Sequence, residues 1–355
     1  MSTSLSIEKQ VAIFAVRRAC LLTSSVFNKL VKNETLTKED KSPVTVGDYA
    51  AQAVVNTILK RAFPHDPIVG EEDADDLKRD PILTKRVVEL ANEALQSDLV
   101  LGEMPEWGIG PGQEKSTEDL LSAIDQGNHL GGHNGRFWTL DPIDGTKGFL
   151  RGGQYAVCLA LIVDANVKLG VIGCPNLPCN PSDPDGEKGC IFVAVHGQGA
   201  QQMSLSGANP TPVVIPEIPS GSLNFLESVE AAHSDHSFNE RVSNILSISR
   251  TPTRMDSQAK YCCLARGDGG VYLRMPTKAG YKEKIWDHAP GTVLIEEAGG
   301  TVTDSRGLPL NFGLGKTLGE NYGVIAARRD IHGKVLDAVQ QAKAIEEGEI
   351  DQAKI

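Results

Sequence analysis

Apolar residues recur at helical spacing through the first thirty positions of the chain, and this pattern predicts a long amphipathic helix. The recurring positions are Ile7, Val11, Phe14, Leu22, Val26 and Leu30. A second helix is predicted to begin near Asp48, a favoured N-cap residue, and to run through an alanine-rich stretch until Pro64 ends it. The first of these helices is expected to cover one face of a core.

Short apolar runs bounded by turn residues predict strands in the middle of the chain. These runs cover residues 68–69, 137–140, 155–163, 167–173 and 191–195. The third and fourth of them form a predicted hairpin that turns at 164–166. Residues 100–115 predict a surface loop, and Ser116 with Asp119 forms the capping pair of a helix that ends at Gly127.

A stretch rich in Pro, Ser and Gly from 204 to 222 marks the predicted boundary between two domains, residues 1–204 and residues 205–355. Beyond it, helix-like and strand-like segments alternate. They cover residues 223–229, 237–248, 257–266, 271–275, 287–298 and 323–327, and a C-terminal helix follows. This alternation predicts a layered α/β unit.

Composition and charge narrow the classes of function. With 40% hydrophobic and 23% charged residues the chain is expected to fold as an ordinary globular protein. A net charge of −11 argues against binding to long nucleic acids, which require a basic surface. The apolar runs are too short for a membrane span, and the seven cysteines lack the spacing of a disulfide framework or a zinc site. A cytoplasmic protein that acts on small anions is expected.

The segment 141–146 carries the strongest chemical pattern. Asp141 and Asp144 are separated by Pro142 and Ile143 and followed by Gly145, so the backbone must bend sharply at a strand end. Such a bend can aim two carboxylates and a carbonyl at one point, as Mg²⁺ requires. The alternative is an Asx-turn that only caps the next segment.

Two further carboxylates stand at the ends of predicted elements, where functional sites form. Glu71 follows the strand at 68–69, and Asp287 opens the helix predicted over 287–298. Asp287 has an alternative role as a helix N-cap. For the acidic residues at 73–76 a solvated loop is the preferred interpretation.

Residues 70–72, 138–148 and 286–287 resemble, in order and spacing, the three signature segments of the magnesium-dependent, lithium-sensitive inositol monophosphatase superfamily. Residues 41–49, 141–151, 256–261 and 284–288 are similar to the fungal and plant bisphosphate nucleotidase branch of it. The resemblance implies an α/β (α+β) fold, a two-domain layered αβαβα sandwich of the inositol monophosphatase and fructose-1,6-bisphosphatase type. One departure is Pro290, where the family has small alanines.

The resemblance also implies the metal site, which lies in the cleft between the two domains. It places Glu71, Asp141 and the Ile143 carbonyl on one Mg²⁺, and Asp141, Asp144 and Asp287 on a second. A third, weaker Mg²⁺ position uses Glu71 and water. Two such cations stabilise the nucleophile and the leaving oxygen of an in-line displacement without a covalent intermediate.

The resemblance implies that Asp48 and Thr146 orient and deprotonate the attacking water, although Asp48 has the alternative of being only a helix cap. The implied substrate-contacting positions are Thr146, His233, Ser257, Lys260, Arg274 and Asp287. Ser257 and Lys260 are one helical turn apart, and Arg274 leaves a short strand. His129 and His133 lie among glycines and are expected to be loop residues.

The expected function is hydrolysis of the 3'-phosphate of adenosine 3',5'-bisphosphate, and of its sulfated precursor, with inhibition by Li⁺ and by Na⁺. A monomer with a small nucleotide substrate, and neither a nucleic-acid polymer nor a membrane as partner, is expected. The alternative within the superfamily is an inositol mono- or polyphosphate phosphatase. A third hypothesis is a non-catalytic, metal-dependent sensor of phosphorylated nucleotides, against which the pair Asp48 and Thr146 argues.

Overall fold

The computed structural model describes residues 5–32, 42–97, 100–101, 104–105, 114–206, 210–230, 235–278 and 280–352. The helices are α1 (Ser6–Lys32), α2 (Ser42–Ala62), α3 (Pro81–Gln96), α4 (Thr117–Asp125), α5 (Thr146–Leu150), α6 (His236–Ile245), α7 (Ala259–Arg266), α8 (Ala289–Glu297) and α9 (Arg329–Gln352). The strands of the first half are β1 (Ile68–Gly70), β2 (Val100–Leu101), β3 (Met104–Pro105), β4 (Arg136–Asp144), β5 (Ala156–Val163), β6 (Asn166–Pro178), β7 (Lys188–Val195), β8 (Gly199–Ser204) and β9 (Thr211–Val213). Those of the second half are β10 (Phe225–Glu227), β11 (Thr253–Arg254), β12 (Val271–Arg274), β13 (Gly300–Thr303) and β14 (Val324–Arg328).

Two large sheets and three helical layers alternate through the molecule, and β2 and β3 form a separate two-stranded sheet. The first sheet has the strand order β1-β4-β5-β6-β7-β8-β9 and the second has the order β11-β10-β12-β14-β13. Helices α1 and α2 pack on one face of the first sheet, and α7 and α8 lie between the two sheets. Helices α6 and α9 cover the far face of the second sheet. This five-layer αβαβα arrangement confirms the predicted fold class.

The central strands of the first sheet explain why this layering is stable. Residues 156–162 of β5 are buried without interruption, because helices cover both faces of the sheet and no solvated face remains. The predicted hairpin from β5 to β6 turns through Asp164 and Ala165, and both have positive φ angles. Two positive φ angles give the turn a twist that matches the flanking strands.

Helices α2 and α8 begin away from the predicted residues, and this changes the role of Asp48 and Asp287. Helix α2 begins at Ser42 rather than near Asp48, because Pro43 is tolerated in a first turn, where its missing N–H costs no hydrogen bond. Asp48 therefore lies inside the helix and is not its cap. Helix α8 begins at Ala289 with His288 as its N-cap, so Asp287 precedes the helix and does not cap it.

The change from one sheet to the other falls between residues 213 and 225. Strand β9 ends the first sheet at Val213, nine residues after the proposed domain boundary, and β10 begins the second sheet at Phe225. The residues between them contain Pro216 and Pro219, which cannot donate to a strand ladder.

Helix α1 is long and apolar enough, over Ser6–Lys29, to meet the length and composition of a membrane span, although the sequence interpretation found no such run. Most of that segment is buried inside the protein, where it packs on α2 and on strands β5 and β6. Its apolar side chains are thus used by the core, as in a helix of an ordinary layered fold.

Candidate active site

A cleft of about 290 Å³ opens where the ends of the first sheet face the second half of the chain. Its lining comprises Glu71, Asp141, Ile143, Asp144, Gly145, Thr146, Lys147, Ser228, Glu230, Asp256, Ser257, Lys260, Arg274, Tyr281 and Asp287. The first seven of these residues come from the first-sheet side, which we call the carboxylate wall. The remaining residues, with Glu283 and His288 behind them, form what we call the paired wall.

An irregularity at the end of β4 places Asp141 and Asp144 in the carboxylate wall. Strand β4 pairs regularly with β5 as far as Asp141, and the register then shifts before Asp144 meets Ala156. The shift coincides with Pro142, which cannot donate to the ladder. Gly145 follows with a φ of 88°, and the chain turns into α5. The Thr146 hydroxyl donates to the Ile143 carbonyl at 3.4 Å.

Parallel pairing brings Glu71 to the same edge. Strand β1 runs parallel to β4 with Gly70 opposite Leu140, so Glu71, which follows β1, comes beside Asp141 of β4. A side chain at Gly70 would collide with Gln52 of α2, at 2.7 Å. The close packing of α2 on β1 thus accounts for the glycine that precedes Glu71.

Three carboxylates converge on one point of the cleft. Oxygen atoms of Asp141, Asp144 and Asp287 lie within 4.8 Å of one another. Asp141 is only 3% exposed, and burial, followed by the negative charges of Glu71 and Asp144, raises its pKa well above the usual range. One buried oxygen of Asp141 and one of Asp48 have no hydrogen-bond partner within the part of the chain that the structure describes. Hard divalent cations bind such oxygen donors, so these residues fit a metal site.

Gln258 connects the ligands of the two walls, and sequence reasoning missed it. Its backbone N–H donates to Asp144 Oδ2 at 2.5 Å. Its side chain donates to the Trp286 carbonyl at 2.8 Å and accepts from the Gly291 N–H at 3.0 Å. Gln258 therefore fixes the residue next to Asp287 relative to Asp144. It lies in the segment 256–261 that resembles the nucleotidase branch, but no role was expected for it, because its partners are distant in the chain.

Ser257 and Lys260 lie where the paired wall meets the start of α7, but they do not point outward together. Ser257 has a φ of 69°, and its hydroxyl accepts from the Ala259 N–H at 3.1 Å. Lys260 is 2% exposed, and its ammonium donates to the carbonyls of Met255 and Ser257 at 3.1 and 2.8 Å. Burial lowers the pKa of Lys260 to about 8, against the opposing effect of Asp144.

Arg274, the last residue of β12, belongs to a buried network of charged side chains. Glu283 accepts from its Nε at 2.9 Å and lies 2.8 Å from its Nη2, while Asp287 lies 3.8 Å from Nη2. Glu283 is also 3.3 Å from His288 Nε2, and His288 Nδ1 is 2.9 Å from the Tyr261 hydroxyl. Burial raises the pKa of Glu283, but His288 and Arg274 outweigh it and hold the value at about 2.

The remaining site predictions fall outside this arrangement. His233 lies outside the residues that the structure describes. His129 and His133 are loop residues, as predicted, and all seven cysteines carry free thiols. The sequence predicted no role for Glu283 or Gln258, because the role of a glutamate or glutamine side chain depends on its contacts.

The five-layer fold is also the fold of solved inositol monophosphatases. The structure of an inositol monophosphatase from Zymomonas mobilis superimposes with a TM-score of 0.59 at 19% identity, covering 95% of this chain and 99% of that one. The sequence profile described as the inositol monophosphatase family matches residues 6–344. The chain belongs to the inositol monophosphatase family.

Its relatives within that family carry a narrower name. A 3'(2'),5'-bisphosphate nucleotidase from Schizosaccharomyces pombe is 52% identical over 343 residues, which cover 94% of this chain and 95% of the relative. A 3'(2'),5'-bisphosphate nucleotidase from Emericella nidulans is 44% identical, covering 94% of this chain and 97% of the relative. This agrees with the branch of the family that the sequence motifs indicated.

Proposed function

We propose that this protein is a magnesium-dependent phosphomonoesterase that hydrolyses the 3'-phosphate of adenosine 3',5'-bisphosphate to AMP and phosphate. The observation that carries the chemistry is the convergence of Asp141, Asp144 and Asp287, together with a buried Asp141 oxygen that has no hydrogen-bond partner among the described residues. The choice of substrate is supported by the names of relatives at 52 and 44% identity. The sulfated precursor, which has the same 3'-phosphate, is included as a substrate.

The residues proposed to hold Mg²⁺ are Glu71, Asp141, the Ile143 carbonyl, Asp144 and Asp287, with two to three ions per site. The chemistry that bound Mg²⁺ supplies is a lowered pKa for water and stabilisation of charge on the attacking and leaving oxygens. The carboxylates hold this charge in place, and Gln258 keeps Asp144 in register with the loop that carries Asp287.

The proton of the attacking water is proposed to pass to Asp48 through Thr146. The Thr146 hydroxyl lies at the bend that presents Asp144, and its weak 3.4 Å bond to the Ile143 carbonyl is easily exchanged. The buried Asp48 oxygen that has no hydrogen-bond partner among the described residues can accept a proton. Asp48 lies inside α2, so its carboxylate does not cap the helix.

The nucleotide is proposed to lie along the paired wall, with Ser257, Lys260, Arg274 and His233 as its contacts. The Lys260 ammonium lies beneath the surface of this wall, where it donates to two backbone carbonyls, and contributes its positive charge from there. The remaining proposals are a cytoplasmic location, a monomeric state, and a small nucleotide as the only partner.

A substrate panel tests this function. Phosphate release is measured from adenosine 3',5'-bisphosphate, from 3'-AMP and from inositol phosphates, with and without Mg²⁺. We expect the bisphosphate to have the highest kcat/KM and the reaction to stop when Mg²⁺ is chelated. A preference for inositol phosphates would instead indicate the alternative phosphatase, which shares every proposed metal ligand.

Lithium inhibition is the corresponding prediction for the metal site. A small, hard monovalent cation can occupy an oxygen site without supplying the charge of Mg²⁺. We expect Li⁺ in the millimolar range to inhibit phosphate release, and Na⁺ to do so more weakly. Activity that is the same in LiCl and in KCl at equal ionic strength would contradict the prediction.

A further inference from the structure

The cleft contains more negative than positive side chains, which matters for a substrate with two phosphates. Its carboxylates are Glu71, Asp141, Asp144, Glu230, Asp256 and Asp287, and its cations are Lys147, Lys260 and Arg274. One phosphate is accounted for by the proposed metal site. The second phosphate, which is not hydrolysed, requires a cation of the protein whose charge is available to it.

Two of the three cations are already held by buried partners. The Lys260 ammonium lies under the surface and donates to two backbone carbonyls. The Nε and Nη2 atoms of Arg274 face Glu283, and Nη2 is also close to Asp287, so neighbouring carboxylates balance its charge. Moving either cation would leave buried polar groups unpaired, which is costly.

Lys147 differs from both because its partner is replaceable. Its side chain is 57% exposed at the cleft mouth, directly after Thr146, and its Nζ lies 3.0 Å from Glu230 Oε2. Glu230 is paired with Arg151 as well, and Arg151 also binds Asp256 Oδ2 at 2.5 Å. Glu230 therefore keeps a cationic partner when Lys147 leaves it.

We propose that Lys147 binds the phosphate that is not hydrolysed, and that this phosphate replaces Glu230 at the Lys147 ammonium. The inference rests on the proposed function. Exposed ion pairs are weak, whereas a phosphate offers more charge and more acceptor oxygens than one carboxylate. Arg151 retains Glu230, so the exchange leaves no carboxylate without a partner.

This exchange makes Lys147 a specificity-determining residue. A 3'-monophosphate has no group that competes with Glu230, so the ion pair stays closed over the cleft mouth. A 3',5'-bisphosphate opens it and gains a charge-assisted contact. The preference for bisphosphates over monophosphates is therefore expected to depend on the ammonium of Lys147.

The first measurement is the ratio of kcat/KM for adenosine 3',5'-bisphosphate to that for 3'-AMP. We expect this ratio to fall about tenfold or more in Lys147→Ala and to be largely retained in Lys147→Arg, which keeps the charge. Lys85→Ala is the matched control, because Lys85 is an exposed lysine paired with Glu89 on α3, away from the cleft. The control should leave the ratio unchanged.

The second measurement is product inhibition, which can be determined even if the variant turns over slowly. AMP carries only the phosphate that is not hydrolysed, so its inhibition constant should rise about tenfold in Lys147→Ala, and that of inorganic phosphate should change much less. If the wild type releases phosphate normally, and Lys147→Ala has the same kcat/KM ratio and the same AMP inhibition constant as the wild type, this inference alone is overturned. Wild-type protein that releases no phosphate from the bisphosphate would overturn the proposed function, and this inference with it.

Discussion

The two walls of the cleft differ in whether their buried polar side chains have partners. The carboxylate wall, with Asp48 of α2 behind it, leaves oxygens of Asp141 and Asp48 buried without partners in the described part of the chain. The paired wall gives each buried charge a partner, as in the bonds of Glu283 to Arg274 and His288. The difference indicates that one wall is built to receive cations, and the other is rigid before any ligand arrives.

This contrast predicts opposite costs of mutation. Changes in the carboxylate wall should reduce activity with little loss of stability, because the native protein there carries carboxylates that repel one another. Changes in the paired wall should reduce stability first, because they leave a buried charge unpaired.

The largest effect is expected for Asp144→Asn. The variant should fold like the wild type and lose more than about a hundredfold in kcat/KM, because an amide replaces a charged oxygen of the proposed metal site. Steady-state kinetics at saturating Mg²⁺ and thermal unfolding measure the two properties. Asp185→Asn, an exposed carboxylate in the turn between β6 and β7, is the control. Wild-type turnover in Asp144→Asn would refute the metal assignment.

Glu283→Ala tests the paired wall. Removing this carboxylate takes away the two short contacts of the buried Arg274, at 2.9 and 2.8 Å, and leaves Asp287 at 3.8 Å, so the free energy of unfolding should fall by about 3–5 kcal/mol. Glu283→Gln, which preserves the shape of the side chain, should lower the free energy of unfolding by less. Chemical denaturation of both variants decides between this outcome and a surface-like loss below about 1 kcal/mol.

The same carboxylate has a defined pH dependence. The pKa of Glu283 is about 2 in the folded protein and lies near its ordinary value, 4.5, in the unfolded chain. Its contribution to stability is therefore complete above about pH 4.5 and is lost as the pH falls towards 2. We expect Glu283→Gln to have a flatter loss of stability in this range than the wild type; parallel curves would contradict this.

Arg274→Ala gives an intermediate effect and tests the contact of Arg274 with the nucleotide. If Arg274 contacts the second phosphate together with Lys147, the kcat/KM ratio of bisphosphate to 3'-AMP should fall about ten- to a hundredfold. If Arg274 only neutralises Glu283, unfolding free energy should fall while the ratio stays constant. The assay is the one used for Lys147, with Glu283→Gln as the stability control.

The smallest effect on turnover is expected for Gln258→Ala, which removes the side chain that joins the two walls. The loss of its bonds to the Trp286 carbonyl and the Gly291 N–H loosens the loop before Asp287, so Mg²⁺ affinity should fall about ten- to a hundredfold, with kcat at saturating Mg²⁺ less affected. Gln340→Ala, which removes a similar bond to the Ser305 carbonyl far from the cleft, should leave Mg²⁺ affinity unchanged. Equal affinities in both variants would remove Gln258 from the site.

Local patterns were sufficient for the parts of the site that depend on neighbouring residues. The bend at 141–146 follows from Pro142 and Gly145, and the hairpin at 164–166 follows from two apolar runs separated by three turn residues. Where helices begin was less predictable. Asp48 looked like an N-cap because it precedes an alanine-rich run, but the helix extends back through Pro43 to Ser42.

The sequence by itself determined the carboxylates, their positions at strand ends, and the family, because each depends on residues close together in the chain. Only the tertiary structure decided which charges are already satisfied. Arg274 and Lys260 looked available in the sequence but are held by Glu283 and by backbone carbonyls, whereas Lys147 is paired only at the surface. The physical reason is that burial and pairing arise from contacts between distant segments, which residue type and spacing do not encode.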